Sequence, residues 1–480
     1  MSGKSIKCIF PFFVFIIGLL MFLYPMLFWN KMPGDLGDGR FINYVLEHGW
    51  LWLNRVDIHS SFWTMPFFYP NQNTLAYSDI MFGGMILYVP VRFFVDSPQI
   101  ALQIWFVLCV ILNYISAYLL LRKGLKFDFA PSSIGAFLFA FGLPRQNQIN
   151  HLQLLTQFYM IFSIFSFLKL DMQKSKLHNH ICFLCGVIFF VLQIYTSFYF
   201  GWFMVFGLIL FIIILFCSPS LKSKLFDFFK YYKNELIIYS FLTIIFLYPL
   251  ISHYIAVGAQ LNWISGFLFN FTGLVSSNSL LDNYVFPKNN LLSIPENRVG
   301  IGLLTSVFIL IGLLKNSKYN KHIILFIVLI LCIFGIKLLN FALYIIVPGA
   351  SAIRACGRMI FLLMPIYIYG IANFLKNINN KKVFCIAVFI IILEQLAFPN
   401  QYNWTKAENE NRIKAYNIPK SCKIIYYDIK VSPEWIYQND LLWVSSINNI
   451  YLINGYSGYM PNTDKTFAQP ECRFEIKETF

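Results

Sequence analysis

IFPFFVFIIGLLMFLYPMLFW, residues 9–29, runs for 21 residues without a charged side chain. A helix of that length rises about 30 Å, the thickness of a bilayer's hydrocarbon. Lys4 and Lys7 precede the run and no small-residue cleavage site comes before Asn30 and Lys31, so it reads as an uncleaved first span rather than a signal peptide. Similar runs recur near 99–121, 131–144, 152–168, 179–197, 200–217, 236–256, 300–314, 322–338, 357–375 and 383–398. With 58% hydrophobic, 19% aromatic and 12% charged residues and a mean hydropathy of +0.62, the composition excludes an ordinary soluble globular protein. The expected fold class is an all-α polytopic membrane protein of about eleven transmembrane helices, with a small α/β appendage at its carboxyl end.

A net charge of +15 invites a nucleic-acid reading. The basic residues instead sit in short loops between apolar runs, so no nucleic-acid partner is expected. Clusters at Lys4/Lys7, Arg122/Lys123/Lys126, Lys169/Lys174/Lys176, Lys222/Lys224/Lys230/Lys233, Lys315/Lys318/Lys321 and Lys376/Lys381/Lys382 are each separated by an even number of those runs. The positive-inside rule then puts them all in the cytoplasm, in a multi-pass protein of the cell (inner) membrane. The amino terminus is expected in the cytoplasm and the carboxyl-terminal domain outside. Residues 80–94, broken by Gly83, Gly84 and Pro90, are left without a crossing of their own and read as re-entrant or juxtamembrane.

Two units follow: a membrane-embedded core over 1–398 and an external domain over 399–480. The external face carries the loop 30–79, the turn 145–151, the loop 256–298 and the tail. In the first loop, Asn43, Glu47 and Asn54 share a helical stripe with Arg40 on an otherwise apolar segment, which predicts a helix lying flat in the interface with that stripe toward water or a site. The tail holds nine basic and nine acidic residues, and 423–429 and 441–452 are rich in Ile, Tyr, Trp and Val, as strands are. Cys182 and Cys185 read as structural residues of a span, whereas Cys422 and Cys472 share the tail and form a disulfide if the compartment is oxidising.

Four constellations offer chemistry. Gly34-Asp35-Leu36-Gly37-Asp38-Gly39-Arg40 places two carboxylates three residues apart on glycine-rich backbone at the membrane surface. One carboxylate suffices to cap the helix that begins near Arg40, so two point to a site: a general base toward a hydroxyl, or oxygen ligands for a divalent cation. Asp79 stands at the mouth of an apolar segment, where a carboxylate is costly unless paired or facing a cavity. Arg145, Gln148 and His151 would share one helical face and offer a cation, an amide and an imidazole to a sugar or phosphate. Arg354 and Arg358, at i and i+4 entering a span, make a fixed phosphate clamp unless they snorkel to headgroups. No P-loop, dinucleotide-binding fingerprint, zinc spacing or nucleophile elbow is present in the sequence.

The acidic loop, the helix from Arg40 to His48 and the many further spans resemble the GT-C membrane glycosyltransferases. Within them the chain is similar to a bacterial branch near the YfhO-like proteins, through Tyr69-Pro70-Asn71 with Tyr77-Ser78-Asp79, Pro144-Arg145 with His151-Leu152-Gln153, Ser197-Phe198-Tyr199, Val347-Pro348-Gly349 with Arg354 and Arg358, and Asn454-Gly455-Tyr456-Ser457-Gly458 with Pro461. The resemblance implies transfer of a sugar from a polyprenyl-phosphate donor to an envelope glycan, lipid or protein acceptor at the extracytoplasmic face. It implies Asp35 or Asp38 as the catalytic acid residue of the first loop, and Arg40, His48, Asp79, Arg145, Gln148, His151, Tyr199, Arg354, Arg358 and Tyr456 as substrate-binding residues. Both a metal-free site and one in which Asp35 and Asp38 hold magnesium or manganese stay open. Two other classes compete: a transporter or flippase of a lipid-linked saccharide, which would place charge near the midplane or show inverted repeats, and a non-catalytic membrane assembly factor that binds a partner through the tail.

Overall fold

A computed structural model describes residues 3–258, 268–274, 279, 298–315, 320–397 and 402–477. Most of the expected external loop 256–298, and Lys318 of one basic cluster, lie outside the described residues. The chain is mostly helical, because in an apolar setting only a helix satisfies every amide and carbonyl within one segment. Six helices among the described residues are long and apolar enough to cross a bilayer: Ile9–Trp29, Pro98–Gly124, Lys176–Thr196, Phe198–Phe216, Lys233–Gly258 and Cys356–Lys376. A seventh candidate, Asn320–Gly335 with Lys337–Ile346, bends by 89° at its break. Two start at a side-chain cap, where Ser97 Oγ and Ser175 Oγ accept from the amides of Ile100 and His178.

The expected count of about eleven is not reached. The runs at 131–144, 152–168, 300–314 and 383–398 do form helices, but these are short: Phe129–Phe141, Phe158–Leu168, Leu303–Leu314 and Lys381–Glu394. The first is cut by Gly142, whose extended backbone leads into Leu143-Pro144. It is buried from Pro131 to Phe141, packed among the first helix, the helix from Pro98 and the helix from Ile360. The segment 80–94 folds into the helix Phe82–Arg92, about 16 Å long, which by itself does not reach the thickness of a bilayer's hydrocarbon any more than those short helices do.

The helix Asp38–Leu53 departs from expectation more sharply. Most of its polar stripe faces neither water nor a site: Arg40, Asn43 and Glu47 are buried, as is His48 beside them, and only Asn54 at the helix end is exposed. Glu47 pairs with Arg92 at 2.8 Å and accepts from the Tyr88 hydroxyl, and Asn43 donates to Pro98 O. The helix is therefore a filling between the helical core and the tail.

The tail is a three-stranded parallel sheet in the order β2-β1-β3, with β1 at Ile424–Ile429, β2 at Tyr451–Leu452 and β3 at Arg473–Ile476. The strand expected over 441–452 is instead the end of a helix, Glu434–Asn448, and only its last two residues pair with β1. Residues 437–445 of this helix are buried without interruption, so it is enclosed on all sides there. Cys422 and Cys472 are bonded. The tail is stitched to the core rather than hung from it: Met32 N donates to Trp404 O at 2.8 Å, Leu452 N to Pro66 O at 2.9 Å and Tyr69 N to Leu452 O at 3.0 Å.

Candidate active site

The acidic loop folds back on itself. Gly34 has φ +85°, and a Cβ there would lie 2.8 Å from the Cα of Gly39, so glycine at both positions permits the close approach. Asp35 closes the loop: its Oδ1 accepts from the amides of Gly37 and Gly39, each at 3.1 Å. Burial, then the neighbouring Asp38 charge, push its carboxyl up. Asp35 thus organises the turn and, unlike Asp38, does not line the cavity beside it.

Asp38 does line that cavity, a space of about 170 Å³ walled by the start of its own helix, the loop 76–79, the first residues of the helix Phe198–Phe216, the segment 352–358 and tail residues 456–460. A quarter of its side chain remains exposed. Tyr456 donates its hydroxyl to Asp38 Oδ1. His151 sets Nδ1 2.7 Å from Asp38 Oδ2 and Nε2 3.0 Å from Nη2 of Arg358. A guanidinium has only donors, so Nε2 must accept and the proton resides on Nδ1, directed at Asp38. Burial alone would raise the Asp38 carboxyl. The His151 hydrogen bond, the Tyr456 hydroxyl and the Arg358 charge outweigh it and hold the carboxyl well below its ordinary value.

Arg358 is buried, with its guanidinium 4.7 Å from the centre of the Tyr199 ring. Tyr199 in turn accepts from the amides of Arg354 and Ala355 through its hydroxyl, at 3.1 and 3.3 Å. Arg354 and Arg358 do not stand on a regular helix as their spacing predicts. A short 3-10 turn, Cys356–Met359, precedes the helix from Ile360, and Arg354 lies on extended chain before it, yet both line the cavity. Asp79, 5% exposed, lines it too and accepts at Oδ1 from the Phe198 amide at 2.6 Å. Burial pushes its carboxyl up to about 6, against the Phe198 amide and the Arg358 charge.

Four expected binding residues belong elsewhere. Arg40 is fully buried and pairs with Asp440 at 2.7 Å. His48 holds Nδ1 2.8 Å from Nδ1 of His59 and Nε2 2.9 Å from Phe62 O. The helix carrying Arg145 stops at Gln146, so no shared face forms with Gln148 and His151; Arg145 turns inward to Phe139 O, Leu154 O and Gln157 Oε1. Gln148 is buried beside it, away from the cavity. For the cation left open above, the carboxylates are already engaged: Asp35 faces its own loop amides, Asp38 faces His151 and Tyr456, and no group of three His, Cys, Asp or Glu converges among the described residues.

Tyr254 and Met460 of the cavity are not among the residues the sequence singles out. Tyr254, near the end of the helix Lys233–Gly258, donates to Ser78 O at 2.7 Å and closes one wall; a tyrosine at a span's end reads as an interfacial anchor, and nothing in the pattern marked it. The chain matches no protein-family model and no curated protein.

Proposed function

We propose that this protein is a membrane glycosyltransferase of GT-C type, moving a sugar from a polyprenyl-phosphate donor to an envelope acceptor at the extracytoplasmic face of the cell membrane. The observation that carries the reading is the run Tyr456–Asp38–His151–Arg358, which ends in a cavity shared by Arg354 and Asp79. Two permanent cations and two carboxylates in a half-enclosed, aromatic-walled space match what such a transfer needs. The acceptor hydroxyl loses a proton to a carboxylate as its oxygen bonds to the anomeric carbon. The bond from that carbon to the phosphate oxygen breaks, and the arginines face the charge left on the lipid phosphate.

The topology of about eleven crossings, with the amino terminus in the cytoplasm, belongs to the same proposal, the shorter apolar helices completing crossings together with their flanks. The Cys422–Cys472 bond supports an oxidising compartment for the tail and so for the cavity it helps to wall. Envelope glycans of cells lacking the gene, complemented with wild type, Asp38→Asn or Arg358→Gln, test the reading by mass spectrometry. Each variant is expected to lower the modification about 100-fold or more. Full modification by both variants at normal protein level would falsify it.

A further inference from the structure

The cavity holds two carboxylates in unlike surroundings, and we infer that Asp79 is the group that takes the acceptor's proton, while Asp38 is a positioning residue that holds Arg358 through His151. This rests on the transferase reading and divides the labour within it.

Both oxygens of Asp38 already accept a hydrogen bond, one from Tyr456 and one from His151. The next link of that run is a guanidinium, whose place over the Tyr199 ring depends on the imidazole behind it. An anion stabilised in this way is a poor proton acceptor and a good anchor. Asp79 lines the same cavity on the loop after Tyr77, held by the first amide of the helix Phe198–Phe216. The titratable and charged groups that act on it are Arg358 from the turn at 356–359, His151 behind Arg358 and Tyr254 from the helix Lys233–Gly258, with the Ser197 hydroxyl alongside. Its carboxyl, raised to about 6, is ionised at neutral pH and still basic enough to accept a proton in the transition state. In the step, the hydroxyl proton passes to Asp79, the acceptor oxygen bonds to the anomeric carbon, and the electron pair of the broken bond stays on the lipid phosphate. The proton leaves Asp79 for water once the product departs.

Two measurements on the full chain test this. Infrared titration of the purified protein should show a buried carboxylic acid band that grows as pH falls through about 6, absent from Asp79→Asn and kept in Asp38→Asn. In gene-deleted cells complemented at external pH 5 to 8, wild-type glycan modification should fall on the acid side by about tenfold per pH unit. Asp79→Asn should lose about 100-fold or more at every pH, Asp79→Glu should retain part of the activity with a displaced acid limb, and Asp38→Asn should lose activity with the acid limb unmoved. The assignment is overturned if Asp79→Asn, at wild-type protein level, keeps more than about a tenth of the modification, a loss smaller than a proton acceptor gives. It is equally overturned if Asp38→Asn moves the acid limb and Asp79→Glu does not. Envelope glycans that do not change when the gene is deleted would instead remove the transferase reading, and this assignment with it.

Discussion

Asp35 and Asp38 are three residues apart and do different work, and the difference comes from what each oxygen finds. Asp35 finds the amides of Gly37 and Gly39. An asparagine there still offers one accepting oxygen, so Asp35→Asn should leave transfer within a few-fold of wild type, while Asp35→Ala should cost about 1 kcal/mol of stability, as loss of a cap does. Thermal melting beside the glycan assay checks both. The histidine pair behaves differently again. Burial lowers His48 to about 4 and His59 well below its ordinary value, so between about 4 and 6.5 the unfolded chain binds protons that the folded one refuses. Stability therefore rises with pH through that window and is lost as pH falls, by about 3 kcal/mol from His48 alone. His48→Phe should flatten the acid side of a denaturation-midpoint profile; an unchanged slope would refute the account. The cavity's charged members were legible in sequence because Asp, His and Arg are costly near a bilayer and invite a reason. Arg40 and Arg145 raised the same alarm for a structural reason: their partners, Asp440 and Gln157 with backbone carbonyls, lie 400 and 12 residues away and no local spacing announces them.

Among elements, the helix Asp38–Leu53 shows what periodicity could and could not tell. Its apolar pattern gave the helix and nearly its limits, but a stripe of Arg40, Asn43 and Glu47 looks the same whether it meets water or a second polar surface. For Asn43 and Glu47 that surface is Pro98 O, Tyr88 and Arg92; for Arg40 it is the tail helix Glu434–Asn448. There Asp440, fully buried, accepts from Arg40 at 2.7 Å and from Arg412 through both of its oxygens. Two cations share one anion, and Arg40 leaves Nε and Nη2 without a hydrogen-bond partner among the described residues. Removing the anion should strand both guanidinium groups, so Asp440→Leu is expected to cost about 3–5 kcal/mol. Arg40→Met removes a desolvated charge while Asp440 keeps Arg412, and should change stability by less than about 1 kcal/mol or raise it. Melting of the two variants in detergent gives the order; equal losses would contradict it. Strand and helix were confused in this same tail because Ile, Trp and Val at 441–452 carry β propensity, whereas the segment is enclosed on all sides over 437–445, and an apolar run buried all round does not tell strand from helix by its period.

At the scale of the whole molecule, the tail is part of the cavity. Residues 456–460 form one wall, and the chain that leads to them is tied to the first loop by backbone bonds: Phe68 N to Asn454 O at 3.1 Å and Tyr459 N to Tyr77 O at 3.2 Å. A tail that only recruited a partner would need no such seam, and Tyr456 would have no reason to reach Asp38. At Gly458 the two halves lie close together, since a Cβ there would lie 2.8 Å from Tyr77 O, a backbone atom that cannot swing aside. Gly458→Val should therefore lift the loop off residue 77, draw the Tyr456 hydroxyl from Asp38 and free His151 and Arg358 to turn. Overpacking of this kind costs about 1–3 kcal/mol, which leaves the tail folded and the Cys422–Cys472 bond intact by mass analysis. Transfer should nevertheless fall by more than about tenfold, the scale of one lost positioning contact at a reacting centre. A Gly458→Val protein with wild-type transfer and an intact disulfide would mean that the tail stands beside the chemistry rather than within it.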